Sequence, residues 1–94
     1  MRYESVLVSL SPTEVRDRIR KRVEGIQSSK ADDGFEFRTN SGILVGSVSP
    51  ATLPDGSDGS RLRYRTSILS ATAAHAKRTG TALRDAVSSA LVTD

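Results

Sequence analysis

The sequence predicts an α+β fold, a curved antiparallel sheet of about four strands packed against a long C-terminal helix. Two periodicities predict it, since apolar residues alternate in several short segments and recur every three or four residues in two longer ones. A helix-start signal, Ser11-Pro12-Thr13-Glu14, separates the first strand from the first helix. The predicted order of elements is β-α-β-β-β-α, and the 94 residues fit one domain spanning residues 1–94.

The first strand covers residues 2–10, in which the even-numbered apolar residues share one face. Ser11 and Glu14 have the spacing of a capping box, in which each side chain accepts a hydrogen bond from the other residue's backbone N–H. The helix that follows has an apolar stripe composed of Val15, Ile19, Val23 and Ile26. It is predicted to end near residues 25–28, and the polar segment 28–34 is predicted to be a loop.

Three further strands are predicted in the middle of the chain. The first begins at Phe35, and Asn40-Ser41-Gly42 predicts a hairpin turn before the next strand, residues 43–48. That strand is apolar on both faces, so we expect its far side to be covered, with a second copy of the chain as one candidate. Residues 49–60 are predicted to form a long loop, and residues 61–68 alternate as the last strand.

The last element is predicted to be one helix over residues 71–92, with a stripe of small and apolar residues. Gly80 weakens such a helix by roughly 1 kcal/mol relative to alanine, so a break at this residue is the alternative. The predicted core comprises Val6, Val8, Leu10, Val15, Ile19, Val23, Ile26, Phe35, Phe37, Val45, Leu62, Tyr64, Ile68, Leu83, Val87 and Leu91.

The composition bounds the kinds of function. The chain has no cysteine, so neither a disulfide nor a thiolate metal site is expected. Its net charge of +3 is mild and gives only weak support for a polyanionic partner. No apolar run is long enough for a leader or a membrane span, which predicts a cytoplasmic protein without a membrane partner. The one histidine, His75, lacks co-ligands for zinc and is interpreted as a surface or packing residue, so we expect no metal and no cofactor.

The candidate site residues are arginines on the last strand. Alternation puts Arg61, Arg63 and Arg65 on one face, each about 6.6–7 Å from the next, and Arg38 could extend the row. Such a row could follow a nucleic-acid backbone. The alternative, favoured on sequence alone, is a solvated sheet face with Glu36 as a cross-strand partner.

Two segments carry a family resemblance: S-P-T-E-V-R after the first strand, and G-F-E-F-R-T-N-S-G-I-L-V-G-S-V. With the order of elements, they resemble a reduced helix-grip domain of the polyketide-cyclase and lipid-transfer type. They are also similar to small proteins associated with polyhydroxyalkanoate granule systems. The resemblance implies a curved antiparallel sheet that wraps a final helix, and a small-ligand or lipid carrier with a cavity lined by Ala73, Ala76 and Gly80. It assigns no site residue.

The leading functional prediction is a small non-enzymatic interaction module that binds a protein partner or associates with itself. Its basis is the strand that is apolar on both faces, together with a sequence that contains no catalytic motif. The first alternative is a weak, sequence-nonspecific nucleic-acid binder that uses Arg38, Arg61, Arg63 and Arg65. The second alternative is the small-ligand or lipid carrier. Catalysis is the least supported class.

Overall fold

Two helices lie on one face of a single antiparallel sheet of six strands. A computed structural model describes residues 3–66 and 71–92, with the side chains of residues 71–78 outside the described part. The strands are β1 (Tyr3–Val8), β2 (Ile26–Ala31), β3 (Gly34–Thr39), β4 (Leu44–Thr52), β5 (Asp58–Arg65) and β6 (Leu91–Val92), and the helices are α1 (Pro12–Arg22) and α2 (Ala71–Ala86). Their order in the sheet is β2-β3-β4-β5-β1-β6. The α+β class is confirmed, but the expectation of about four strands is wrong.

The start of α1 has the predicted capping box. The Glu14 backbone N–H donates to Ser11 Oγ at 3.2 Å, and the Ser11 N–H donates to Glu14 Oε1 at 3.1 Å. The helix ends at Arg22, earlier than predicted, and Gly25 follows with a left-handed φ of +74°. Ile26 therefore belongs to β2 rather than to the helical stripe, because the left-handed residue redirects the chain into the sheet.

The segment predicted as a loop over residues 28–34 is instead most of strand β2 and its turn. Ser28 pairs with Phe37 and Lys30 with Phe35 in an antiparallel register, and Asp32 turns the chain with a φ of +51°. An edge strand needs no continuous apolar face, because its neighbour supplies the hydrogen bonds and one side stays in water. The sequence pattern of β2 was therefore too polar to predict a strand.

The loop predicted over residues 49–60 is also shorter than expected. Strand β4 continues to Thr52 and β5 begins at Asp58, which leaves residues 53–57 as the connection. The Leu53 N–H donates to the Ser57 carbonyl at 2.8 Å, and the Asp55 carboxylate accepts from the Ser57 N–H at 2.9 Å. Pro54 and Gly56 therefore lie in the short connection of a β-hairpin rather than in a long loop.

The C-terminal helix is shorter than the prediction of residues 71–92. Helix α2 ends at Ala86, a single 3₁₀ turn covers Ser88–Ala90, and β6 then pairs with β1 through Val8 and Leu91. Pairing with β6 covers part of an edge of β1 that would otherwise be open, which explains why these residues leave the helix. Leu91 reaches the core from the sheet instead of from a helix.

The core lies between the sheet and the two helices. Its largest fully buried side chains are Phe37, Ile19, Leu62 and Leu83. The predicted core residues Val8, Val15, Ile19, Phe37, Val45, Leu62, Tyr64, Leu83 and Val87 are buried, and Val6, Leu10, Val23, Ile26, Phe35 and Leu91 are partly buried against the cluster. Val48 and Ala86 complete the cluster and were not predicted. Ile68 lies outside the described residues.

A bulge in the β3–β4 pairing explains the strand that is apolar on both faces. Phe37 pairs with Gly46 and Arg38 with Leu44, so Val45 is the extra residue of β4. Val45 is fully buried in the same core cluster as Val48, and Ile43 packs against that cluster. This packing accounts for Ile43, Val45 and Val48 without a second copy of the chain, whereas Leu44, which pairs with Arg38, is half-buried outside that cluster. Among the described helices, none is both long and apolar enough to cross a membrane.

Candidate functional site

The face of the sheet opposite the helices, which we call the open face, presents a short row of basic side chains. In the register of β5, Arg63 lies between Ser5 of β1 and Ser47 of β4, and Arg61 lies beside Ser49 of β4. Arg61 and Arg63 are exposed, and the serines around them are exposed or half-buried. Arg61 and Arg63 therefore lie on one strand with their Cα atoms about 6.6–7 Å apart. Arg63 has a serine on both sides, whereas Arg61 has Ser49 on one side and the buried Leu7 of β1 on the other.

Both arginines reach across to β1, and both meet neutral groups there. Arg61 Nη1 donates to Ser5 Oγ at 3.4 Å, a long hydrogen bond. The Arg63 guanidinium lies over the ring of Tyr3, 5.4 Å from the ring centroid, which is a cation–π arrangement. A guanidinium has five N–H donors, so most of the donors of this pair remain for water or a ligand.

Arg65 does not continue the exposed row. Its residue is 7% exposed, and its Nε is buried without an acceptor among the described residues. Helix α2 lies close to the Arg65 backbone, as shown by the 2.5 Å that would separate a Cβ atom added at Gly80 from the Arg65 carbonyl oxygen. Alternation along β5 predicts which side a residue faces, but it does not predict which residues bury the end of the strand. The exposed row therefore has two arginines rather than three.

Arg38 lies on the same face, with β4 between it and the pair on β5. Its Nη1 donates to the Gly42 carbonyl at 3.2 Å, and its Nη2 lies 3.4 Å from Glu36 Oε1. Glu36 thus partners Arg38 within β3, rather than pairing across to the β5 row. Both terminal nitrogens of Arg38 therefore have partners already, and one of those partners is a carboxylate. Arg38 is for this reason a secondary member of the site.

Sequence reasoning missed the contribution of Tyr3 and of the flanking serines. The signal was present in part, because Tyr3 and Ser5 share a face of the first strand by alternation. What was absent from the sequence was the pairing of β1 with β5, which brings residues 60 positions apart into contact. Only the sheet register shows that the arginine row has an aromatic ring at one end.

A second concave feature lies where α1 begins. An open groove of about 630 Å³ is lined by Ser9, Ser11, Glu14, Pro50 and Asp58 together with neighbouring residues. Hydrogen bonds from Ser11 lower the pKa of Glu14, with its backbone N–H the larger cause. Since Ser11 and Glu14 already cap the helix, the groove offers an incoming ligand no free capping group.

The described residues contain no group of three histidine, cysteine, aspartate or glutamate side chains that could hold a metal ion. The side chain of His75 lies outside the described part of the chain. In comparisons with protein families, curated proteins and solved structures, no match to this chain was found. The open face is therefore the feature from which we infer a function.

Proposed function

We propose that the chain is a non-enzymatic binding module and that the open face is its binding surface for an anionic partner. The observation that supports this most directly is the exposed pair Arg61 and Arg63 on a sheet face opposite both helices. A planar guanidinium binds carboxylate, sulfate and phosphate groups through paired N–H donors. A guanidinium offers five N–H donors and no acceptor, so this pair is suited to ligands rich in acceptor oxygens.

The same geometry limits the expected affinity. The pair supplies two full charges, and exposed charges are screened within about 8–10 Å at physiological salt. Arg38 adds only part of a third charge, because Glu36 lies beside it. We therefore expect binding that is weak at physiological salt and much stronger at low salt.

A heparin column tests the proposal, since heparin is a polyanion with no base or peptide structure. The double variant Arg61→Ala, Arg63→Ala is expected to elute at clearly lower salt than the unchanged protein. The double variant Arg20→Ala, Lys21→Ala is the matched control, because it also removes two exposed charges, from α1 and away from the open face. Equal elution of the two double variants would contradict a binding role for the open face.

A protein partner or self-association is the second candidate. The observation that favours it is strand β2, which pairs with β3 on one side and forms an edge of the sheet as described. An extended peptide or another copy of β2 could add to that edge through backbone hydrogen bonds. Sedimentation velocity over a rising protein concentration tests self-association. A protein that stays monomeric at every concentration would exclude self-association, and a different protein would then be the remaining candidate for the β2 edge.

The ligand-carrier alternative has less support. Gly80, one of the three residues predicted to line a cavity, lies against the backbone of Arg65 rather than beside open space. The side chains of Ala73 and Ala76 lie outside the described part of the chain. The resemblance to a helix-grip domain remains a proposal, supported by the single antiparallel sheet and by α2 packing on β4 and β5.

A further inference from the structure

We infer that the anionic partner is a single-stranded nucleic acid, whose backbone follows β5 past Arg61 and Arg63 while a base stacks on Tyr3. The inference rests on the proposed function and names the partner of the same surface. It follows from how the basic pair, the serine flanks and the aromatic ring are placed together.

The row has the form of a track for a phosphate backbone. Arg61 and Arg63 are two residues apart on one strand, so their Cα atoms are about 6.6–7 Å apart, a separation similar to that of successive phosphates in an extended strand. Three of the four residues opposite the pair are serines, Ser5, Ser47 and Ser49, and the fourth, Leu7, is only 7% exposed, so none of them obstructs a chain lying along the strand. The serine hydroxyls belong to the donor types that contact phosphate and sugar oxygens.

Tyr3 adds a recognition element that a purely electrostatic surface lacks. It is half-buried, and the guanidinium of Arg63 lies over one face of its ring, so an incoming base stacks on the opposite face. Proteins that bind single strands without sequence preference combine a basic track with aromatic rings on which bases stack. The arrangement of Arg61, Arg63 and Tyr3 matches that combination at a small scale.

Other anionic macromolecules fit this surface less well. A duplex keeps its bases stacked on one another, so it offers no free base to the Tyr3 ring. An acidic peptide would satisfy the two guanidinium groups but has no planar base for the Tyr3 ring. The aromatic ring is therefore the feature that favours a nucleic acid over an acidic protein.

The salt dependence of binding follows from the number of phosphate contacts. For single strands, the logarithm of the association constant falls by about 0.7 per contact for each tenfold rise in salt. Two contacts therefore predict a slope of about −1.4, and Arg63→Gln should reduce it to about −0.7. If the Arg63 contact contributes nothing to binding at about 1 M salt, the Arg63→Gln variant should bind about eightfold more weakly than the unchanged protein at about 50 mM salt.

Fluorescence anisotropy tests the inference with three labelled probes of equal charge: an oligo-dT strand of about 12 nucleotides, a duplex and a polyglutamate peptide. Titrations run from about 50 to about 200 mM salt. The variants are Arg63→Gln, Tyr3→Leu and Tyr3→Phe, with Arg20→Gln as the control on α1. Circular dichroism spectra confirm that each variant keeps its fold before its binding is compared.

We expect the oligo-dT strand to bind more tightly than the duplex and the peptide. Tyr3→Leu should weaken that binding at least fivefold, while Tyr3→Phe, which keeps the ring, should not. Equal binding of the strand and the peptide, or tighter binding of the duplex, would overturn the inference and leave the proposed function standing. No binding of any probe at low salt would overturn both. An Arg63→Gln variant indistinguishable from Arg20→Gln would show that β5 is not the track.

Discussion

Replacing Gly80 by alanine should destabilise the protein, although alanine is the better helix former. A Cβ atom at this position would lie 2.5 Å from the Arg65 carbonyl oxygen and 2.9 Å from the Arg65 nitrogen. Ordinary van der Waals contact begins near 3.4 Å, so α2 would have to move roughly 0.9 Å away from β5. That movement would disturb Leu83 of the same helix and Val87, which follows the helix, and both are fully buried.

The magnitude follows from two opposing effects. Overpacking costs about 1–3 kcal/mol, and contact with rigid backbone places Gly80→Ala in the upper part of that range. The gain in helix propensity is about 1 kcal/mol, so the net loss is about 1–2 kcal/mol. Each kcal/mol lowers the melting temperature of a domain of this size by about 4–8 °C. Thermal and urea denaturation, followed by circular dichroism, measure the loss.

Thr81→Ala is the control for helix propensity, because Thr81 is the next residue of α2 and is exposed. It should leave stability unchanged or raise it by less than about 1 kcal/mol. If Gly80→Ala were as stable as the unchanged protein, or more stable, the close approach of α2 to β5 would be refuted.

Three further predictions concern the cap, an ionisable core residue and the core itself. Ser11→Ala should cost about 1 kcal/mol in urea denaturation. Because the cap lowers the pKa of Glu14, the stability that the cap gives the protein is present above pH 4.5 and is lost as the pH falls through the lowered pKa. A Ser11→Ala variant that loses as much stability in acid as the unchanged protein would contradict this. Burial, with a hydrogen bond to Glu4, raises the pKa of Tyr64, so stability is lost as pH rises from 10.0 through the raised value; Tyr64→Phe should reduce this loss in alkaline denaturation. Phe37→Ala should remove about 3–5 kcal/mol, and a loss below about 1 kcal/mol would contradict its full burial.

The start of α1 could be predicted because its cause is local. Ser11, Pro12 and Glu14 form the cap among themselves, and no distant part of the chain is needed to read it. The same holds for the direction of Arg61 and Arg63, since alternation along one strand places both on one face. Features determined by four or five consecutive residues were therefore accessible from the sequence.

Strands β2 and β6 could not be predicted because their cause is a neighbouring strand. Residues 28–30 are Ser-Ser-Lys, a polar run that adopts a strand by pairing with β3. Leu91 continues the apolar spacing of α2, but pairing with Val8 of β1 places it in the sheet instead. In both cases a segment with a weak or misleading local pattern follows the hydrogen bonds that a distant strand offers.

The candidate site divides in the same way. Alternation along β5 places Arg61 and Arg63 on one face, where both are exposed, whereas Arg65 is buried at the end of the strand that α2 approaches. The position of Arg38 agrees as well, but the Gly42 carbonyl and the Glu36 carboxylate that hold its guanidinium depend on how the hairpin closes. Alternation along a strand predicted the face of the sheet on which each arginine lies. Tertiary packing determined which of the guanidinium groups are exposed and free of a carboxylate.

The partners of each arginine decide where an anion binds most favourably. Arg16 lies 2.9 Å from Asp17, and Arg38 lies 3.4 Å from Glu36, so an anion approaching either one competes with a carboxylate already in place. Within the described part of the chain, Arg61 bonds to a hydroxyl and Arg63 lies over an aromatic ring, and both of these partners are neutral. An anion that reaches them gains its attraction without breaking an ion pair. This difference in partners is why we place binding on β5 rather than on the β3–β4 hairpin.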